Sequence, residues 1–243
     1  MLFTIVALLA AAPDQCRATT APSARTVLER AASAIGLTNA AGRVLHVDGF
    51  DVTNHAFESD RPGAPPFLSA VSAIDSWLDP RTGIERTTSR TTLGGTQPPV
   101  TTIGGALASY VVHDTVMQPS PSTHGELYAT RPLDVWATLI DWIASPDART
   151  VATCEFRDYP RLVLSRRGAR GEERLFIDQK SGYPVKLDRL EPDYLWGTAH
   201  VEYVYSTWQS DGALRWPVSS FRSASFWSGS LRLPISGPFA LSR

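Results

Sequence analysis

Cysteine, lysine and charge of one sign are scarce in this 243-residue sequence. With 2 cysteines, a disulfide framework standing in for a core is excluded. A chain of this length buries roughly 70–75% of its unfolded surface and is held by packing. The 23 basic and 24 acidic residues are scattered and sum to a net charge of -1. That leaves no one-sided positive field, so nucleic-acid binding is not expected. Lys180 and Lys186 are the only lysines, and arginine fills every other basic position, a usage that reflects base composition rather than a site.

Histidine is thin as well. His46, His55, His113, His124 and His200 never come closer than nine residues apart, so the short-spaced pair common in zinc sites is missing. His46 with Asp48, and His113 with Asp114, read as hydrogen-bonded strand residues. There is no Gly-x-Ser-x-Gly elbow, and Gly94-Gly95 and Gly104-Gly105 lack the spacing of a phosphate cradle. No catalytic residue, metal site or cofactor is expected.

Long apolar runs are missing too. The longest, Leu2 to Ala12, is too short to span a bilayer and is followed at once by polar residues. It reads as a secretory leader over 1–21, although no Lys or Arg precedes it. Ala10-Ala11-Ala12 offers one small-x-small cut and Thr19-Thr20-Ala21 a later one. Cys16 lacks the Leu-x-small approach of a lipidated cysteine. With the leader removed at 21, Cys154 stands alone and reads as a small buried hydrophobe.

Val27, Leu28, Ala31, Ala32 and Ile35 recur at helical spacing after Pro22-Ser23, and Gly36 ends the pattern. Strand-like alternation follows over 43–52, 69–78, 84–93 and 106–117, separated by exposed loops at 61–66 and 94–99. A second helix spans 130–143, with Leu133, Trp136, Ile140 and Ile143 on one face, Trp142 and Val135 widening it, and Pro146 beyond its end. A meander of strands over 151–157, 161–166, 172–178, 183–189, 197–208 and 213–226 completes the pattern. Within it, Val201, Tyr203, Tyr205 and Thr207 share one strand face, and Glu202, Val204, Ser206 and Trp208 the other. The stretch 228–243 has no periodicity and is expected as a loosely ordered tail.

Two segments rhyme: Asp79-Pro80-Arg81-Thr82-Gly83 and Asp178-Gln179-Lys180-Ser181-Gly182, the second followed by Tyr183 and Pro184. A carboxylate that can accept from its own turn and a glycine free to take φ > 0 make each a hairpin reversal rather than an acid–base pair. The second, with strand residues before it and Trp196 to Trp208, Gly212 and Trp216-Pro217 after it, resembles the hairpins of the periplasmic outer-membrane lipoprotein carrier and its sorting-protein relatives, the LolA-like proteins. That resemblance implies an α+β fold: a strongly curved, mostly antiparallel, open sheet, a half-barrel wrapping one or two helices, over 22–227 as a single domain.

The resemblance also implies an exported, periplasmic or secreted, non-enzymatic protein that binds a hydrophobic ligand, lipid or a lipidated partner in the concavity. The candidate lining is Trp136, Ile140, Ile143, Tyr203, Tyr205 and Trp208. The chain is similar, too, to the region preceding some secreted metallo-β-lactamase-fold hydrolases. The alternative is therefore an accessory region, since the His-x-His-x-Asp-His cluster such enzymes require is not here.

Overall fold

A computed structural model of the chain describes residues 16–40, 42–55, 68–92, 95–104, 109–113, 115–119, 134–156, 159–168, 171–193, 197–225, 232–233 and 240–241. The apolar run 2–12, the loop 61–66, His124 and Leu133 lie outside them.

Local signals set the two helices. In α1, Ala24–Ala34, Ser23 is the N-cap and its Oγ accepts from the Thr26 N–H at 3.2 Å. Val27, Leu28, Ala31 and Ala32 make its buried stripe, and Gly36, at φ 77°, follows its end. A 3₁₀ turn, Leu37–Ala40, continues the chain. The second helix, α2, is Asp134–Ala144, with Pro146 two residues beyond.

The other regular elements among the described residues are antiparallel strands. An eight-stranded sheet is ordered β1 (Cys16–Ala18), β8 (Arg149–Phe156), β9 (Tyr159–Gly168), β10 (Gly171–Asp178), β11 (Pro184–Asp193), β12 (Gly197–Asp211), β13 (Leu214–Ser225) and β14 (Arg232–Leu233). A seven-stranded sheet is ordered β15 (Ala240–Leu241), β2 (Leu45–His55), β3 (Leu68–Asp79), β4 (Ile84–Thr92), β5 (Val100–Gly104), β6 (Ser109–His113) and β7 (Val116–Pro119). Short connections leave antiparallel neighbours as the direct solution, so each sheet is mainly a meander in chain order. Neither sheet closes on itself. The α+β class, the antiparallel sheets and the two helices agree with the sequence reading, with the strands divided between two sheets.

Three expectations are corrected. The single strand over 106–117 is a hairpin of β6 and β7, because the chain reverses between His113 and Val116. β5 was not expected, since the Gly- and Pro-rich run before it hides a short Thr-rich strand. The tail is not wholly irregular either: Arg232–Leu233 pairs with β13 and Ala240–Leu241 with β2, so two short segments of it add to different sheets.

Cys154 does not stand alone. Cys16 faces it directly across β1 and β8, and the two form a disulfide closing a separation of 138 residues. A leader cut after 21 would remove Cys16 together with all of β1.

The core lies where both helices meet the inner face of the eight-stranded sheet. Val27, Leu28, Ala31 and Ile35 from α1 and Val135, Trp136, Leu139 and Trp142 from α2 pack on Leu162, Leu164, Leu175, Ile177, Leu187 and Val201. Leu164, Leu175 and Leu187 are each 1% exposed or less, and burying such a side chain contributes roughly 1.5–3 kcal/mol. From the seven-stranded sheet, Leu45 and Leu78 join this cluster.

Candidate functional site

The twin turns form as their residues require. Asp79 Oδ1 accepts from the Arg81 N–H at 2.9 Å, and the Gly83 N–H donates to the Asp79 carbonyl at 2.8 Å. Asp178 Oδ1 accepts from the N–H groups of Lys180 and Ser181 and from the Ser181 hydroxyl, while the Gly182 N–H donates to the Asp178 carbonyl at 2.9 Å. Gly83 has φ 69° and Gly182 φ 79°, and Pro184 opens β11, where a missing N–H is tolerated. Each turn meets a helix: a Cβ on Gly83 would lie 3.2 Å from Ile140 of α2, and one on Gly182 would lie 3.2 Å from Ala34 of α1. Arg30 of α1 also donates to the carbonyls of Gln179 and Lys180, at 2.8 and 3.1 Å.

Of the six candidate lining residues, Trp136, Tyr203 and Tyr205 are buried in the core cluster, and Ile140 and Trp208 pack against it. Ile143 does not join them. It is 45% exposed although helical spacing sets it on the same face as the buried Trp136 and Leu139, because it is the penultimate residue of α2, at the end of the helix.

Trp208 reaches the cluster by a device that strand alternation does not foresee. Thr207, at φ 55°, is the one non-glycine of positive φ among the described residues. Pairing continues past it in register, Ser206 with Ser219 and Trp208 with Pro217. The left-handed residue turns the strand, so that Trp208 sits with Tyr203 and Tyr205 and stacks on Tyr183 at 4.7 Å. A β-branched residue in that conformation costs about 1–2 kcal/mol.

Some polar groups in and around this interior are engaged, while the buried indole N–H groups of Trp142, Trp208 and Trp216 have no hydrogen-bond partner. The Trp136 indole donates to the Arg215 carbonyl at 3.0 Å, and the Tyr203 hydroxyl to Glu191 Oε1 at 2.5 Å. Arg166 of β9 lies 4.7 Å from the Trp142 ring and pairs with Asp141 of α2 and Glu173 of β10, which ties the helix to the sheet. The inner face of the seven-stranded sheet differs in kind. There Glu85 Oε1 accepts from Ser76 Oγ at 2.7 Å and Thr87 Oγ1 at 3.2 Å, and Ser72 bonds to Thr91 at 2.8 Å.

On the outer face of the eight-stranded sheet, Lys186 Nζ lies 3.2 Å from Asp188 and 3.0 Å from Glu202. Burial works against the Lys186 charge, but the two carboxylates outweigh it and hold its pKa above that of an ordinary lysine. Burial raises the Asp188 pKa, opposed by Lys186 and reinforced by Glu202.

His113 and Asp114, weighed as a ligand pair, fall where side chains are not described. His46 and Asp48 are placed, and Asp75 comes to them from β3. The sequence reading missed Asp75, because only the β2–β3 register brings it there, and the 56–67 connection gives no count from which to fix that register. Trp142 and Leu139 were also left off the lining, though their helical spacing from Val135 could have found them.

Two helices on the inner face of an open antiparallel sheet system define the class: the chain has a LolA-like fold. Among solved structures it is similar to the LolA superfamily protein NE2245 from Nitrosomonas europaea, with a TM-score of 0.56 and 11% sequence identity, over 92% of this chain and 93% of that one. No family model matches the sequence, and no curated protein matches it. No helix among the described residues is long and apolar enough to cross a membrane.

Proposed function

We propose that this is an exported, non-enzymatic protein that binds an apolar ligand, an acyl chain or a lipidated partner, between its two helices and the inner face of the eight-stranded sheet. The observation that carries the reading is the make-up of that interior. Trp136 and Trp142 from α2 oppose Tyr183, Tyr203, Tyr205, Trp208 and Trp216; the Trp136 indole and the Tyr203 hydroxyl have partners, while the indole N–H groups of Trp142, Trp208 and Trp216 are buried without one. Aromatic rings give a large apolar surface that adapts to a flexible chain. Leu139 and Trp142 have no exposed surface, so a guest enters by parting α2 from the sheet. The described polar links that resist this are few, chiefly Arg166 to Asp141 and Trp136 to the Arg215 carbonyl.

Export is supported by the apolar run 2–12 and by the Cys16–Cys154 bond, which persists in oxidising compartments. A cut at Ala10-Ala11-Ala12 keeps Cys16 and β1, so the leader ends before residue 16 rather than at 21.

Protein purified from a membrane-bearing host is expected to carry extractable lipid and to bind a fluorescent acyl probe that fatty acid displaces. Delipidated protein that leaves the probe unbound at ~10 µM, where even modest apolar sites load, would overturn the reading.

A further inference from the structure

We propose that His46, Asp48 and Asp75 form a binding site for a divalent transition-metal ion, Zn²⁺ foremost, on the exposed face of the seven-stranded sheet. The site is independent of the apolar interior. Among the described residues it is the one grouping of three such side chains whose ligand atoms all lie within 4.8 Å of one another.

Strand geometry builds it. The period of two puts His46 and Asp48 on one face of β2, and the antiparallel register sets Asp48 directly opposite Asp75 and His46 opposite Trp77. Trp77 stacks on the imidazole with centroids 3.9 Å apart and planes 19° apart, which fixes the ring edge-on toward the carboxylates. His46 Nε2 then lies 3.2 Å from Asp75 Oδ1 and 3.5 Å from Asp48 Oδ1. A tetrahedral ion with bonds of about 2.0–2.2 Å has ligand-to-ligand edges of about 3.3–3.6 Å. Two edges of that tetrahedron are therefore already set by rigid neighbouring strands.

His46 Nε2 comes within hydrogen-bond distance of Asp75 Oδ1, while Asp48 Oδ1 stays at 3.5 Å and its residue directly faces Asp75. Facing carboxylates across a strand pair repel, and an ion bound to both removes that repulsion. One imidazole nitrogen and two carboxylate oxygens suit Zn²⁺, Mn²⁺ or Co²⁺. Soft Cu(I) wants thiolate or thioether, and Ca²⁺ wants six or more oxygens. The surface position leaves the fourth place of the tetrahedron open to water or to a donor from another molecule.

Calorimetric titration of the full, tag-free chain with Zn²⁺ is expected to show one equivalent bound. His46→Ala and Asp75→Asn should each weaken it by about tenfold or more, a loss at least as large as changes behind metal ligands produce. In a second readout, Co²⁺ should quench the Trp77 part of the fluorescence with the same stoichiometry. Trp77→Phe should remove that quenching and keep Zn²⁺ binding. Acyl-probe binding should be unchanged in His46→Ala, which separates this site from the interior. The proposal fails if no binding or quenching occurs up to ~1 mM ion, or if the triple variant H46A/D48N/D75N binds as wild type does.

Discussion

The two rhyming turns have nearly the same backbone and very different surroundings. Asp79–Gly83 joins β3 to β4 and stands mostly in water: Arg81, its side-chain partner, is itself exposed. Asp178–Gly182 joins β10 to β11 and is tied both to its own sheet and to α1. Asp178 takes three hydrogen bonds from its own turn and pairs with Arg161, itself 8% exposed and lying 5.2 Å from the Tyr159 ring. Arg30 adds two bonds from α1. A motif thus sets the conformation of a turn, while its worth to the fold is set by what the chain elsewhere brings to it.

The largest test of that difference is to delete each carboxylate. Asp178→Ala leaves the buried Arg161 guanidinium without its counter-charge, and breaking a buried pair from one side costs about 3–5 kcal/mol. Asp79→Ala leaves no buried charge behind, so its unfolding midpoint should move far less. Denaturant unfolding at neutral pH measures both. Replacing Arg161 as well, in Asp178→Ala/Arg161→Leu, should restore much of the loss. No recovery would place the cost in the turn itself and erase the contrast.

The glycines offer a smaller and more even comparison. Either one changed to alanine holds an L side chain in the left-handed region, at about 1–2 kcal/mol. Beyond that, the new methyl on 83 meets Ile140 Cγ2, whose side chain can turn, whereas that on 182 meets the Ala34 Cβ, fixed to the backbone of α1. Gly182→Ala should therefore be the more destabilising, by thermal unfolding of the two variants. The reverse order would mean that α2 is held to its sheet more rigidly than α1.

Both turns were legible in the sequence because everything they need is within five residues. So were α1, whose cap, stripe and terminating glycine are local, and most strands of the eight-stranded sheet, whose connections are short. What stayed hidden depends on distance along the chain. The Cys16–Cys154 bond spans 138 residues, Asp75 reaches His46 only through the β2–β3 register, and Trp208 changes sides because of one backbone angle at Thr207. The exposure of Ile143 was hidden for another reason: its spacing sets it on the face of Trp136 and Leu139, and only its place at the end of α2 leaves it uncovered.

The mildest test concerns how the exposed turn holds together at all. The Arg81 N–H is the main cause keeping the Asp79 carboxyl below the usual carboxylate pKa; burial opposes it, and the Thr82 hydroxyl and the Arg81 charge add smaller lowering effects. A carboxylate depressed in the folded state stabilises it above the unfolded pKa of about 3.9, and that stability is lost as pH falls through the lower folded value. Wild type and Asp79→Ala should therefore differ in urea midpoint at neutral pH and converge in acid, with no such convergence caused by salt alone. If the difference persists at low pH, the ionised oxygen is not what caps the turn, and Pro80 and Gly83 hold it through backbone preference alone.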